Sequence, residues 1–280
     1  MIDLEPTSGL PLSLDDADPA LPLRLAGGLQ PGRRIARSLA ELRPALADPQ
    51  ADGPDPAYWM YNGVTHFSAA DDRGVYHWRY DLTVLPPGRV GEEYLRTVGH
   101  YHPLLSGRSA AWPEVYEVLH GAALFLLQRV DDPLSPPGEG QVEEFIVLRA
   151  KAGQKALLPP NYGHWTVNTG AAPLVVCNWI AADFESDYAP VLAARGPAGY
   201  VKATPDGPGL AANLRYAHLP AELGHAEPLD APELGLETGR PIFQALLDRP
   251  SVWRWVCDPE LAPVDLRSAI RITRTDPFPT

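Results

Sequence analysis

The feature that most constrains the fold is a series of short β-branched and aromatic runs between Tyr58 and Tyr188. Examples are VYHWRYDLTVL, EVYEVL, AALFLLQRV and PLVVCNWIA, and turn-forming breaks such as PPGRVG and TGAAP separate them. Strand-forming runs that recur with turn signals about every 8–12 residues are typical of an all-β sandwich or barrel. The sequence has no alternation of strands and helices that would form βαβ units. We therefore predict an all-β domain over residues 58–190.

Residues 1–57, which precede this domain, are rich in Pro, Ala, Leu and Asp. Within them, the stretch 34–43 places Ile35, Leu39 and Leu42 on one helical face, because residues three or four apart lie on the same side of a helix. We expect this N-terminal extension to contain a helical segment and to pack on the outside of the barrel.

Residues 191–280 are interpreted as a loop-rich C-terminal extension, and the stretch GPAGYVKATPDGPGLAANL within them is expected to be a loop. A short helix is predicted at 241–248, because Pro is favoured in the first turn of a helix. The stretch WRWV at 253–256 is a candidate strand. The extension is expected either to wrap the barrel or to form a subunit interface.

The net charge of −12 narrows the choice of partners. An acidic surface repels nucleic-acid phosphates and anionic membranes, whereas backbone N–H groups can still bind a small anionic substrate locally. No apolar run approaches the roughly 18 residues of a membrane helix. The first residues lack the basic and apolar regions of a secretory signal, so the two cysteines are expected to be reduced thiols. We expect a cytoplasmic protein without nucleic-acid or membrane partners.

Three histidines and one glutamate form a candidate metal site. His100 and His102 are two residues apart, and this spacing places both imidazoles on one side of a strand. Glu114 opens the next β-rich run, and His164 begins the run HWTVN. Three imidazoles and a carboxylate suit Fe(II), Mn(II), Ni(II) or Zn(II). Taken singly, each histidine would be interpreted as an ordinary surface or core residue, and only the surrounding pattern favours the metal site.

That pattern consists of two blocks, GHYH…EVYEVLHG and GQKALLPPNYGHWTVN, which resemble the two motifs of the cupin superfamily. The resemblance implies a cupin barrel, also called a double-stranded β-helix or jelly roll. It implies that one divalent transition metal, Fe(II) first, binds to His100, His102, Glu114 and His164. Two departures are the eleven residues PLLSGRSAAWP between the second histidine and the glutamate, and Asn161 where the pattern has Gly. A longer loop at the barrel mouth and a left-handed Asn turn would accommodate them.

A narrower resemblance runs through YDLTVLPPGRVGEEYLRTVGHYH, PEVYEVLHG and LPPNYGHWTVN to Asp187-Tyr188. These segments resemble the cupin-type glucose-6-phosphate isomerases, best known from archaea. The resemblance implies interconversion of an aldose phosphate and a ketose phosphate. Glu114 would then move a proton between C1 and C2, with a hydride shift as the alternative.

The same resemblance implies further roles for matching residues. Tyr116 would contact the sugar beside the metal. The sugar phosphate would be held by Thr83, Thr97, Gly99 and Tyr188. From the residues alone, the threonines are equally well explained as ordinary strand residues and Tyr116 as barrel core.

Two positions depart from the isomerase pattern, because Ile180 and Ser186 stand where an aromatic hydroxyl and a histidine are expected. The side chains considered as replacements are His66, His77, Tyr58, Tyr61, Tyr188, His218 and His225. The alternative functions are another cupin enzyme, such as a dioxygenase or an epimerase, and a non-catalytic cupin that binds a sugar phosphate or a metal. A homodimer is expected, because the edge strands of a barrel need covering.

Overall fold

The structure is a computed structural model that describes residues 1–15, 22–131 and 140–278. In chain order its strands are β1 (Ile2–Asp3), β2 (Leu12–Leu14), β3 (Leu23–Leu25), β4 (Arg33–Arg37), β5 (Tyr58–Asp71), β6 (Gly74–Leu85), β7 (Arg89–Val90), β8 (Glu93–Tyr94), β9 (Glu114–His120), β10 (Ala122–Val130), β11 (Val142–Lys151), β12 (Lys155–Leu158), β13 (Gly163–Asn168), β14 (Leu174–Ala181), β15 (Gly199–Thr204), β16 (Gly207–Ala212), β17 (Leu223–Pro228) and β18 (Ile270–Thr275). The α-helices are α1 (Glu5–Ser8), α2 (Leu39–Leu42), α3 (Ala189–Ala193) and α4 (Ile242–Asp248). Short 3-10 helices lie at Arg43–Ala45, Pro232–Leu234, Pro250–Val256, Pro259–Leu261 and Leu266–Ala269.

Two antiparallel-based sheets form the barrel. One has the strand order β12-β9-β14-β6-β5-β4, and the other has the order β13-β10-β11-β17-β18. The two blocks of the sequence pattern contribute β9 to the first sheet and β13 to the second. This arrangement is the cupin barrel, and it confirms the prediction of an all-β fold.

The six-stranded sheet is buried on both faces. On β6, Trp78, Tyr80 and Leu82 point outward into a core shared with the terminal extensions, whereas Arg79 and Thr83 point into the barrel, since side chains alternate along a strand. The outer core also contains N-terminal leucines such as Leu4 and the tail residues Trp253 and Trp255. Both extensions therefore pack on the barrel through apolar side chains.

The C-terminal extension contains more regular structure than the sequence indicated. Strand β17 pairs in parallel with β11, and β18 pairs with β17, so the tail lengthens the five-stranded sheet. The predicted loop at 196–214 is largely the hairpin of β15 and β16, and that prediction was wrong. Its Gly and Pro residues were mistaken for loop signals, although strand pairing at a hairpin tolerates them.

Two local predictions were also wrong, and one is confirmed. The helix predicted at 34–43 begins only at Leu39, because the preceding residues form β4 and pair with the edge of β5. The candidate strand at 253–256 is part of the 3-10 helix Pro250–Val256, whose tryptophans are buried in the outer core. The helix predicted at 241–248 is confirmed as α4.

A buried ion pair attaches α4 to the barrel. Glu117 on β9 and Lys155 on β12 are 3.0 Å apart and almost inaccessible, and Glu117 also accepts the N–H of Ile242 at 2.8 Å. Burial raises the pKa of Glu117 to about 7, against the opposing effect of Lys155. Within the described residues, no helix has the length and apolar character needed to cross a membrane.

Candidate metal centre and active site

The four predicted ligands come together at one end of the barrel interior. His100 lies in an extended segment that pairs with β13 directly opposite His164, and two backbone hydrogen bonds of 3.3 and 3.0 Å join the residues. Glu114 is the first residue of β9. His102 follows His100 by two residues, so the backbone directs both rings inward, as the spacing predicted.

The spacing of the ligand atoms fits one transition-metal ion. The Nε2 atoms of His100 and His102 are 3.2 Å apart, and Oε2 of Glu114 lies 3.3 Å from Nε2 of His102 and 3.1 Å from Nε2 of His164. All four ligand atoms lie within 4.8 Å of one another. Two ligand atoms that are each about 2.1 Å from a metal and at right angles to each other are about 3 Å apart. The group could therefore hold a metal ion.

The hydrogen bonds of the group also favour a cation. Nδ1 of His102 donates to the carbonyl oxygen of Trp112 at 2.7 Å, which leaves a lone pair on Nε2. Among the described residues, Oε2 of Glu114 and Nε2 of His164 are buried and have no hydrogen-bond partner. Buried polar atoms are rarely left unsatisfied, and a bound metal ion would satisfy both.

The protonation states agree with this interpretation. Burial acts to raise the pKa of Glu114, but His102 and His164 outweigh it, and the pKa is held below its usual value. Burial lowers the pKa of His100 well below its usual value, and His164 and His102 lower it further. A carboxylate and a neutral imidazole are the forms that bind metals.

Two tyrosines lie beside the group. The ring of Tyr116 is 6.1 Å from that of His164, and the ring of Tyr188 is 5.4 Å from that of His100. Burial and then the charge of Glu114 raise the pKa of Tyr116 well above its usual value. Its phenol therefore stays protonated and can donate a hydrogen bond.

Thr97 and Gly99 flank the histidines on the same extended segment. The Thr97 N–H donates to the carbonyl oxygen of Thr166 at 3.0 Å, and the Thr97 hydroxyl oxygen accepts the Thr166 N–H at 3.1 Å. The proton of the Thr97 hydroxyl is therefore available to a ligand. Gly99 is buried at a φ of 79°, and its N–H has no hydrogen-bond partner within the described ranges. Thr83 faces the interior from β6, opposite Met60 and Val176.

Ile180 and Ser186 lack the hydroxyl and the imidazole of the isomerase pattern, and only some of the side chains named as their replacements lie at the site. Tyr58, whose hydroxyl accepts the Val98 N–H at 3.2 Å, and Tyr188 lie at the site. Tyr61 points into the outer core, where its hydroxyl accepts the Leu23 N–H. His66, an exposed residue of β5, is the Cα partner of Arg79 and shares its face of the sheet. The other histidines lie elsewhere, with His77 on the β5–β6 hairpin, His218 before β17 and His225 on β17.

Sequence reasoning missed two arginines that face the barrel interior. Arg79 lies on β6 two residues before Asp81, and its side chain is on the same face of the strand as that of Thr83. Arg37 lies on β4 opposite Tyr58. Alternation along β6 puts Arg79 on the same face as Thr83 but does not show which face lines the barrel, and Arg37 was hidden by the incorrect helix prediction.

The barrel defines the class of the protein, a cupin, and its cavity contains three histidines and one carboxylate that could hold a metal ion. A model of the family "Glucose-6-phosphate isomerase (GPI)" matches residues 36–210. The chain belongs to this glucose-6-phosphate isomerase family. The match begins earlier and ends later than the predicted limits of 58–190, and it includes the last two residues of β4 together with β15 and most of β16.

Curated relatives and solved structures are similar to different extents. The glucose-6-phosphate isomerase of Thermococcus gammatolerans is 32% identical over 169 residues, which are 59% of this chain and 78% of the relative. That of Pyrococcus abyssi is 30% identical over 175 residues, which are 60% of this chain and 81% of the relative. A solved oxalate oxidase in complex with glycolate is 16% identical, covers 41% of this chain and 47% of its own, and has a TM-score of 0.29.

Proposed function

We propose that the chain is a metal-dependent isomerase that interconverts glucose 6-phosphate and fructose 6-phosphate. The observation that carries this proposal is the buried ligand group inside the barrel of a chain that belongs to the isomerase family. The sugar contacts that the resemblance implies are part of the proposal, which is supported by the position of Tyr116 beside His164 and of Thr97 and Gly99 on the segment that carries His100. A homodimer and a cytoplasmic location are part of the same proposal.

His100, His102, Glu114 and His164 would hold the metal, with Fe(II) as the first choice and Mn(II), Ni(II) or Zn(II) as alternatives. When bound, a divalent ion supplies positive charge that stabilises negative charge developing on substrate oxygens. The buried rings and carboxylate keep bulk water away from this charge, and so strengthen its effect.

Glu114 is the side chain best placed to move a proton between C1 and C2 of the sugar. Its Oε2 atom faces the imidazoles of His102 and His164, which leaves Oε1 for the substrate. Tyr116, protonated and next to Glu114, would donate a hydrogen bond to a sugar oxygen. A direct hydride shift between the two carbons is the alternative, and turnover in D2O distinguishes the two, because only proton transfer incorporates solvent deuterium into the product.

The phosphate would bind where donors meet a positive charge. The free N–H of Gly99 and the hydroxyl of Thr97 provide donors on one segment, with Thr83 and Tyr188 on neighbouring walls. Arg37 supplies charge that the resemblance did not indicate. Its side chain is only 21% exposed; Nη1 forms an ion pair with Glu41 at 3.1 Å, whereas the buried Nε has no hydrogen-bond partner within the described part of the chain. In a chain of net charge −12, a phosphate dianion needs such a local cation.

Replacing Arg37 by Gln is expected to raise KM for fructose 6-phosphate about 10- to 100-fold, the value of a charge-assisted hydrogen bond, while kcat changes less than about threefold. Steady-state kinetics on the metal-loaded protein measure both constants. Arg34→Gln is the matched control, because Arg34 is on the same strand but is exposed and faces Tyr61 on the outer side. Equal KM values for the two variants would remove Arg37 from the phosphate site.

Conversion of fructose 6-phosphate to glucose 6-phosphate by the purified, metal-assayed protein tests the function. Turnover that a His100→Ala/His164→Ala variant lacks, and that Fe(II) or Mn(II) restores to stripped wild-type protein, is the expected result. Metal binding without turnover would contradict the isomerase assignment and favour a binding protein. Oxygen consumption with an organic acid would favour a dioxygenase.

A further inference from the structure

The structure places one arginine in the same row of side chains as the metal-binding carboxylate. Arg79 on β6 is the Cα partner of Ile180 on β14. On its other side, β14 is antiparallel to β9, and Trp179 is the partner of Val115. The same register puts Glu114, the residue before Val115, opposite Ile180. Neighbouring strands are about 4.8 Å apart, so the backbones of Arg79 and Glu114 are about 10 Å apart across the sheet. Ile180 is the one residue between them in this row.

A carboxylate holds one edge of the Arg79 guanidinium and leaves the other edge free. Nε donates to both oxygens of Asp81 at 3.0 Å, and Nη2 donates to Oδ2 at 2.8 Å. Asp81 is fixed in turn by the Gly63 N–H at 2.7 Å. Nη1 donates no hydrogen bond to any of the residues that the structure describes. The clamp fixes the direction of the guanidinium, and a clamped arginine loses little further conformational freedom when it binds a ligand.

The arginine lies close enough to the ligand group for its charge to act on the site. Arg79 lies within electrostatic range of Glu114, His100 and Tyr188. Ile180, the residue between Arg79 and Glu114, is 3% exposed and carries no hydrogen-bonding group. The methylene groups of the arginine side chain can pack on this aliphatic side chain. Nη1 of Arg79 is therefore a hydrogen-bond donor available to a ligand that binds beside Glu114.

We propose that Nη1 of Arg79 binds the reacting end of the substrate, by donating to the oxygen on C1, which becomes negatively charged as the proton leaves C2. The proposal rests on the proposed function and extends it to a specificity residue. An arginine keeps its protons, so Arg79 binds and stabilises the oxygen without exchanging a proton with it. All proton movement between C1 and C2 remains with other groups.

The test compares two ligands that differ only at C1. 6-Phosphogluconate carries a carboxylate there, and glucitol 6-phosphate carries a hydroxyl; both keep the six-carbon chain and the phosphate. Their affinities for the metal-loaded protein are measured by titration calorimetry, so no turnover is needed. The variant is Arg79→Gln/Asp81→Asn, which removes both charges together and leaves no buried carboxylate unpaired. Arg73→Gln, an exposed arginine at the tip of the same hairpin, is the control.

The double variant is expected to weaken 6-phosphogluconate binding about 30-fold, as for loss of a hydrogen bond from a charged donor, and glucitol 6-phosphate binding less than about threefold. Equal losses for both ligands would place Arg79 at the phosphate or in a purely structural role, and no loss for either would remove it from the site. Arg79→Lys, which keeps the charge without the fork, should give an intermediate loss for 6-phosphogluconate alone. Failure of wild-type protein to bind either ligand would instead overturn the proposed function itself.

Discussion

Glu114→Gln is expected to lower kcat/KM for fructose 6-phosphate by at least about 10³-fold, since loss of a proton-transferring group alone costs about 10²- to 10⁴-fold. Glu114 is 2% exposed and supplies the negative charge of the ligand group. A glutamine of the same shape removes that charge. It can also turn its amide N–H groups toward His102 and His164, and these N–H groups repel a cation. The same variant should therefore lose bound metal, as measured by metal analysis of the purified protein and by calorimetric titration with Mn(II).

The control for this variant is Glu185→Gln, an exposed carboxylate in the segment between β14 and Tyr188. It changes the net charge by the same amount and should alter neither metal content nor turnover. If Glu114→Gln kept its metal and stayed within tenfold of wild-type turnover, Glu114 would be neither a required ligand nor the group that moves the proton.

Gly99→Ala is expected to lower the free energy of unfolding by about 2–5 kcal/mol, from a left-handed backbone cost of about 1–2 kcal/mol and overpacking of about 1–3 kcal/mol. Gly99 has a φ of 79°, and an added Cβ would lie 2.0 Å from Nε1 of the fully buried Trp165. Trp165 follows His164 directly, so a displaced tryptophan also displaces a ligand. Displacements of about 1 Å at a site can cost about 10²-fold in rate, and we expect kcat/KM to fall by that order.

Gly107→Ala separates the two contributions. Gly107 has a similar φ of 73°, but an added Cβ would meet nothing within 4 Å. This control should lose only the backbone cost, and the difference between the variants in urea unfolding then measures the clash with Trp165. Equal losses of stability for both variants would show that the tryptophan moves aside freely.

The ligand group could be predicted from sequence because local patterns position each member. His100 and His102 share a strand side at a spacing of two, and Glu114 and His164 each open a strand-like run with turn residues nearby. The structure brings all four together. The helix error at 34–43 has a different origin. Leu39 and Leu42 belong to α2 but Ile35 belongs to β4, and the pairing of β4 with β5 is a contact between distant parts of the chain that local periodicity does not contain.

Arg79 could not be placed for a related reason. In the run WRYDLT, the aromatic and aliphatic residues alternate with polar ones, and such a pattern normally indicates that the polar face is in water. Here the polar face lines the barrel interior, and Trp78 and Tyr80 lie under the extensions. Only knowledge of what covers the outer face reveals which side of the strand holds the chemistry.

This arrangement bears on the design of shorter versions of the protein. The outer face of the six-stranded sheet is aromatic, and Trp253 and Leu4, which cover it, both lie outside the family match at 36–210. A fragment cut to that match would leave a contiguous apolar surface in water, a liability for aggregation. The folding unit is thus larger than the portion that matches the family, and expression boundaries chosen from that match alone would be too narrow for this chain.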